Sequence, residues 1–226
     1  MQPLSEDIRE DLQAILPWAD ELLVDWLQQN AHLVKKDEGD FLFRELSPVD
    51  GLFIILKGRV KLCKNCRRKN ERIIGLYKEG EVVGLRSVLH HKLFQKSAIA
   101  IEDAEILHVS KHEYFQGIMD HPIINLSFLK SLESDIAELE ERATVIIQKP
   151  TRERLIRALI MLYGKFGVDE QSNIKLNFSP KEMASLICTT RTTVYRILSS
   201  LEKDGLIDVD HNKIKVLQYN QLLEAS

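Results

Sequence analysis

Short apolar runs separated by glycine-containing turns occupy residues 33–110 and strongly limit the folds open to this chain. The runs are Phe41–Arg44, Leu52–Leu56, Arg59–Cys63, Ile73–Tyr77, Glu81–Val83, Ser97–Ile101 and Ile106–Val109. Glycine stands at positions 39, 51, 58, 75, 80 and 84. Many short strands without helical periodicity between them indicate an antiparallel sandwich or barrel. We expect a jelly-roll-like β-barrel with no helix between its strands.

The length of 226 residues favours two small cores over one large one. Ahead of the barrel, apolar residues follow helical spacing, with Pro17 as an interruption. They are Leu12, Ile15, Leu16, Leu22, Leu23, Trp26 and Leu27. We therefore expect an α+β protein with a jelly-roll-like barrel and N-terminal helices over 1–120, a helix over 121–149 and a third module over 150–226.

Composition excludes several classes of protein. With 44% hydrophobic and 29% charged residues, the chain has the balance of a globular protein rather than a disordered one. Its longest apolar stretch, Leu52–Leu56, is far shorter than a membrane span, and the acidic N-terminus lacks the basic start of a signal peptide. Three cysteines cannot close a disulfide framework. A cytoplasmic location without a membrane partner is expected.

The net charge of −3 hides a difference between the two parts of the chain. Residues 150–226 hold 11 Lys and Arg against 9 Asp and Glu, whereas residues 1–149 carry a net −5. A surplus of this size is weak support for a nucleic-acid partner, because phosphate contacts depend on local clustering. A nucleic-acid partner must therefore be argued from sequence motifs and not from net charge.

A segment from Pro122 to Pro150 contains no other proline and no glycine, which predicts a helix of about 40 Å. Its apolar residues recur at spacings of 3, 4, 3, 4 and 3. They are Leu129, Leu132, Ile136, Leu139, Ala143 and Ile146. This heptad pattern predicts a parallel two-helix dimer seam, and the alternative is a helix packed on its own barrel. Asp135 and Glu140 would place like charges across that seam.

Ser179-Pro180-Lys181-Glu182 is a strong signal for a helix start, with a capping serine, proline at the first position and glutamate three residues later. This helix breaks near Cys188-Thr189, where we expect the cysteine to be buried. A second helix then buries Val194, Ile197, Leu198 and Leu201. Two short helices joined by a tight turn predict a helix-turn-helix.

The other face of the second helix carries polar side chains that can reach base edges or phosphates. The candidate DNA-binding residues are Ser179, Lys181, Thr190, Arg191, Thr192, Tyr195 and Arg196. Downstream of Gly205, the runs Leu206–Val209 and Lys213–Leu217 predict a two-stranded wing. The alternative for the basic residues is an ordinary solvated helix face.

Together these parts resemble the cyclic-AMP receptor protein and fumarate-nitrate reduction regulator superfamily of bacterial transcription factors. The resemblance follows the order of the family's motifs over nearly the whole chain. It rests on Gly39–Leu42, Gly51–Gly58, Val60, Gly80–Gly84, Ser97-Ala98, His121-Pro122, Thr193–Leu198 and Leu201-Glu202. It implies an effector barrel, a homodimer and a winged helix-turn-helix that binds palindromic double-stranded DNA and recruits RNA polymerase.

The departures from the family concern the effector. The resemblance maps an effector site onto Gly84, Leu85, Arg86, Ser87, Lys96, Ser97, Leu139 and Glu140. The ribose-binding glutamate of cyclic-AMP-binding relatives is missing, the phosphate-binding arginine is Lys96, and the adenine-facing pair is Leu139 and Glu140. Cyclic AMP is therefore not the expected ligand. In the recognition helix, Thr192 replaces a glutamate common in the family, so a different half-site is expected.

Other chemistries find weaker support. Cys63 and Cys66 form a CxxC pair without a second pair, so we expect no zinc or iron–sulfur site. A redox role for the two cysteines is one alternative, and nitric-oxide sensing is another. His90-His91 keeps haem open as a cofactor. We expect no catalytic residues, since no nucleophile and base can be recognised. An effector-binding dimer without DNA recognition is the rival from another class.

Overall fold

Two four-stranded antiparallel sheets build the N-terminal unit of the computed structural model, which describes residues 12–66, 71–90, 92–176 and 178–226. The strands are β1 (His32–Lys36), β2 (Phe41–Phe43), β3 (Gly51–Lys57), β4 (Val60–Lys64), β5 (Arg72–Tyr77), β6 (Val82–Val83), β7 (Ser97–Ala100) and β8 (Ala104–Ser110). One sheet has the order β1-β8-β3-β6 and the other β2-β7-β4-β5. The predicted jelly-roll-like fold is confirmed.

Strand β3 shows why one sheet is buried on both faces. Leu52 and Ile54 belong to a core shared with the helices, whereas Phe53 and Ile55 belong to the core between the sheets. Successive strand residues point to opposite faces, so a run of apolar residues fills both cores at once. The core between the sheets includes the stacked rings of Phe43 and Phe94, whose centres lie 3.9 Å apart.

Among the described residues of this unit, residues 12–15 are helical, and four further helices begin there. They are α1 (Glu21–Asn30), α2 (Leu85–His90), α3 (Lys111–Asp120) and α4 (Pro122–Gln148). The expectation of no helix between the strands was wrong, because α2 lies between β6 and β7. Gly84 has φ +94°, a conformation that glycine adopts readily, and it ends β6 directly before this helix. A six-residue helix is too short to show a reliable helical period.

Helix α4 has the length that the sequence predicts, at 27 residues. Leu129 and Ile136 are 46% and 50% exposed, whereas Leu132 is half-buried against the helix-side core. The chain divides into two compact units after Leu139, within this helix. The apolar seam thus keeps exposed leucine and isoleucine side chains in the single chain.

The C-terminal unit consists of α5 (Thr151–Phe166), α6 (Pro180–Leu186), α7 (Arg191–Lys203), β9 (Ile207–Asp210), β10 (Lys213–Val216) and α8 (Tyr219–Glu224). Its core combines buried leucines of α5, such as Leu155 and Leu159, with Val194 and Leu201 of α7. The linker before α6 adds an isolated antiparallel bridge from Asn173 to Lys215 of the wing. No helix among the described residues is long and apolar enough to cross a membrane.

Candidate nucleic-acid interface and effector pocket

The first helix of the predicted motif, α6, begins with a complete capping box. The Ser179 hydroxyl oxygen accepts the backbone N–H of Glu182 at 3.3 Å, and the Glu182 carboxylate accepts the backbone N–H of Ser179 at 3.2 Å. The Ser179 hydroxyl also lies 2.8 Å from that carboxylate. Ser179, a candidate DNA-binding residue, therefore has its side chain engaged in holding the helix start.

We expect Ser179→Ala to lower the free energy of unfolding by about 1 kcal/mol, because it leaves the first-turn N–H groups without their acceptor. Urea unfolding of the full-length protein measures the loss. Ser179→Thr, which keeps a capping hydroxyl, and Ser199→Ala, at an exposed position of α7, should stay close to the parent. Equal stability of all three variants would contradict the capping role.

Helix α7 separates its apolar and polar faces as the sequence predicts. Val194, Ile197, Leu198 and Leu201 are buried. Thr190, Arg191, Thr192, Tyr195 and Arg196 are exposed, and Lys181 is exposed on α6. Five of the candidate DNA-binding residues thus form a solvent-facing surface at α7. We call it the α7 face and define it as Thr190, Arg191, Thr192, Tyr195 and Arg196. A guanidinium presents paired donors that match the acceptors of guanine in the major groove.

Arg191 and Tyr195 support each other on this face. A terminal guanidinium nitrogen of Arg191 donates to the Tyr195 hydroxyl at 3.0 Å, and the guanidinium carbon lies 5.2 Å from the centre of the tyrosine ring. Thr190, by contrast, caps α7, since its hydroxyl oxygen accepts the Thr193 N–H at 3.2 Å. The sequence analysis identified Arg191 and Tyr195 as candidates, but it did not predict the contact between them.

The turn between α6 and α7 corrects one expectation. Cys188 is exposed rather than buried, with φ +55°, in the left-handed region. Side chains at such a position are displaced from the direction that helical periodicity implies. The wing prediction is confirmed, because β9 and β10 pair antiparallel with Lys213 opposite Asp210.

A small pocket opens beside β6 and α2 in the N-terminal unit. Its volume is about 90 Å³. The lining residues are Phe43, Leu62, Ile74, Tyr77, Val82, Gly84, Leu85, Arg86, Ser87, Gln95, Lys96, Asp135 and Leu139. Pockets for drug-sized ligands usually measure ~300 to 1,000 Å³, so this arrangement suits a much smaller molecule.

One wall of the pocket joins β5 to α4. The Tyr77 hydroxyl donates to the Asp135 carboxylate at 3.5 Å. Burial raises the pKa of the Tyr77 hydroxyl above its usual range, and Asp135, Glu138 and Glu81 add to this rise. This contact gives the Asp135 carboxylate a hydrogen-bond partner on the barrel of its own chain, although the residue lies beside the expected seam. This wall is therefore acidic, whereas Arg86 and Lys96 supply positive charge elsewhere in the lining.

Six of the eight candidate effector residues meet at this pocket: Gly84, Leu85, Arg86, Ser87, Lys96 and Leu139. Ser97 is buried with its hydroxyl oxygen accepting the Glu45 backbone N–H at 2.8 Å, and Glu140 opens the C-terminal unit. Arg86 is exposed and Lys96 half-buried, so solvent can compensate their charges. Sequence reasoning missed Tyr77, whose signal was an aromatic residue at the end of a buried strand.

The remaining candidate groups do not gather into a further centre. His90 ends α2, and His91 lies outside the described residues. No three His, Cys, Asp or Glu side chains of the described ranges are arranged to hold a metal ion. Cys63 and Cys66 are joined as a disulfide.

Comparison with known proteins matches both units of the chain. Residues 33–121 match the cyclic nucleotide-binding domain, and residues 153–225 match the Crp-like helix-turn-helix domain. The global nitrogen regulator of Synechocystis sp. is 28% identical over 184 residues, which cover 80% of this chain and 82% of that protein. The cyclic AMP receptor protein of Thermus thermophilus is 25% identical over 189 residues, covering 84% and 85%.

The fold is shared with solved structures as well. The c-di-GMP-responsive global regulator CLP of Xanthomonas campestris superposes with a TM-score of 0.77 at 19% identity, covering 87% of this chain and 99% of that one. The matched regulators are transcription factors and not enzymes. Because its barrel and its helix-turn-helix both match, in the order that its motifs predict, the chain belongs to the cyclic-AMP receptor protein and fumarate-nitrate reduction regulator superfamily of DNA-binding transcription regulators.

Proposed function

We propose that this regulator binds a two-fold symmetric DNA site as a homodimer and reads its half-sites with the α7 face. The observation that carries the proposal is the division of α7 into a buried apolar face and an exposed face with two arginines, Arg191 and Arg196. A recognition helix placed in the major groove presents such a face to the base edges.

The homodimer is supported by the exposed apolar residues of α4. Leu126, Leu129, Ile136 and Ile147 are 57%, 46%, 50% and 82% exposed. An apolar stripe on a long helix is stabilised when a second copy covers it. Parallel packing of two copies would space the half-sites by about one DNA turn, ~34 Å.

Selection of bound sequences from a random DNA library tests the DNA proposal. We expect an enriched palindrome whose half-sites lie about 10 base pairs apart between centres. An enriched single half-site would argue against the dimer, and no enrichment would favour an effector-binding dimer without DNA recognition. A transcription assay with RNA polymerase on the enriched site then tests recruitment.

The pocket of the N-terminal unit supports a second part of the proposal, a small anionic effector other than cyclic AMP. Arg86, Ser87 and Lys96 supply positive charge and hydrogen-bond donors. The acidic wall formed by Tyr77 and Asp135 favours a ligand that also carries a donor group. Regulation without any small ligand remains the alternative, and haem or nitric-oxide sensing has no support in the pocket's lining.

Calorimetric titration with cyclic AMP tests this part directly. We expect no binding at micromolar concentration, because the pocket of about 90 Å³ is small and the ribose-binding glutamate is absent. DNA binding should proceed without the nucleotide. Micromolar binding of cyclic AMP that also increases the affinity for DNA would contradict the proposal.

A further inference from the structure

The hairpin between β4 and β5 carries two cysteines that neither the DNA interface nor the effector pocket uses. The Cα atoms of Cys63 and Cys66 lie 5.5 Å apart, within the ~4.4 to 6.8 Å range of disulfides. Cys63 is fully buried, whereas Cys66 is partly exposed. The two cysteine residues therefore differ in their exposure to solvent.

The local backbone brings the two cysteines together. Asn65 has φ +51°, in the left-handed region that asparagine tolerates better than most residues, and it turns the chain back so that Cys66 faces Cys63. The buried side chains of Lys61 in β4 and Glu71, the residue before β5, are joined by an ion pair of 2.8 Å. The strands therefore have a link that does not depend on the disulfide.

The cysteine pair is connected to strand β7, which borders the effector pocket. Cys63 lies opposite Ser97 in the β4–β7 register, and the Cys66 sulfur is 3.9 Å from the Ser97 carbonyl oxygen. The Asn65 N–H donates to the Glu45 carboxylate at 3.2 Å, and the Glu45 N–H donates to the Ser97 hydroxyl oxygen. A thiol at Cys66 can donate to that carbonyl, whereas a disulfide sulfur cannot.

The residues that precede Cys63 and Ser97 in the sequence line the pocket. Leu62 precedes Cys63 and Lys96 precedes Ser97, and both side chains belong to the pocket lining. A change in the bonding of Cys66 therefore acts on two neighbouring strands of one sheet. On each side, the residue that lines the pocket directly precedes the residue that contacts or forms the cysteine pair.

We propose that Cys63 and Cys66 form a reversible thiol–disulfide pair that is oxidised by hydrogen peroxide. Its oxidation changes the hydrogen bonding of the strands beside the pocket wall. Cys66 is the attacking thiolate, because it is the more exposed of the two cysteines and Lys64 stands two residues before it in the sequence. The thiolate attacks one peroxide oxygen, the O–O bond breaks, and Cys66 becomes a sulfenic acid while the hydroxide takes a proton to form water.

The buried partner completes the reaction. The Cys63 sulfur attacks the Cys66 sulfenic sulfur, the S–O bond breaks, and the hydroxide leaves with the Cys63 proton as a second water. Two thiols and one peroxide thus give one disulfide and two waters. A dithiol reductant restores both thiols by exchange and is itself oxidised. The pair is separate from the DNA-binding residues, and its connection to the pocket wall rests on the geometry of the pocket and not on the effector proposed for it.

Counting thiols in the full-length protein tests the proposal. When the protein is unfolded in denaturant for alkylation, the reduced form should take up three alkyl groups by intact mass, one for each cysteine, and the peroxide-treated form only one, on Cys188. Dithiol treatment should restore three. In Cys188→Ser the count should fall from two to none, and in the double variant Cys63→Ser with Cys66→Ser it should stay at one. A peroxide-treated parent that keeps three alkyl groups, or loses only Cys188, would overturn the proposal.

Hydrogen exchange provides the readout at the pocket. Backbone amides of residues 95–99 should exchange at different rates in the oxidised and reduced parent, and at one rate in the peroxide-treated and reduced double variant. Equal rates in both forms of the parent would disprove the connection to the pocket wall. The Cys188→Ser protein is the control, since its exchange difference at these residues should match that of the parent.

Discussion

Ile136→Asp should convert the protein from a dimer to a monomer and weaken its binding to a palindromic site by about 100-fold or more. Ile136 is 50% exposed in the single chain, so the new carboxylate is hydrated in the monomer and the fold should persist. In a parallel dimer, the two carboxylates would meet across the seam without partners. The cost of burying them opposes association.

Sedimentation and binding isotherms measure the two effects. Ala137→Asp is the matched control, because it adds the same charge at the next residue, which is exposed and falls outside the heptad seam. It should remain a dimer with nearly parental affinity. A folded Ile136→Asp protein that still sediments as a dimer would place the interface elsewhere.

Arg191→Ala and Arg196→Ala should each reduce affinity for the selected site by ~1 to 3 kcal/mol, or about 5- to 150-fold. An arginine that reads a guanine should also lose preference at one position of each half-site. An arginine that contacts a phosphate should weaken binding to all sequences and make the salt dependence shallower by about one unit. The two roles are therefore separable in one set of isotherms.

Two further variants sharpen that experiment. Arg191→Lys keeps the charge but loses the planar pair of donors. It should therefore retain the affinity that comes from phosphate contacts and lose the preference for one base. Lys203→Ala removes a positive charge from the last residue of the same helix and should have little effect. Unchanged affinity and specificity in the double variant of Arg191 and Arg196 would exclude the α7 face as the reading surface.

Local chemistry made much of this structure predictable from the sequence. The capping box of Ser179 and Glu182 depends on three consecutive peptide units, and the buried side of α7 follows from a period of 3.6 residues. The apolar run of β3 indicated a strand because it is short, continuous and bounded by glycine. In each case the decisive contacts are short in sequence or repeat regularly.

Contacts between distant residues account for what the sequence did not predict. Tyr77 and Asp135 are separated by 58 positions, and Glu45 and Ser97 by 52. No periodicity connects such pairs, because they depend on how the sheets and helix α4 pack. The exposure of Cys188 was missed for a different reason, since one left-handed residue redirects its side chain.

The two helices of the DNA-binding motif differ in what their first turns can offer to a phosphate group. The positive end of α6 already has an anion, because the Glu182 carboxylate accepts the Ser179 N–H. A DNA phosphate approaching that end would compete with a carboxylate of the protein itself. Helix α7 has no acidic residue in its first turn and is capped by the neutral hydroxyl of Thr190. The helix that carries the arginines is therefore also the one whose dipole is left to attract the DNA backbone.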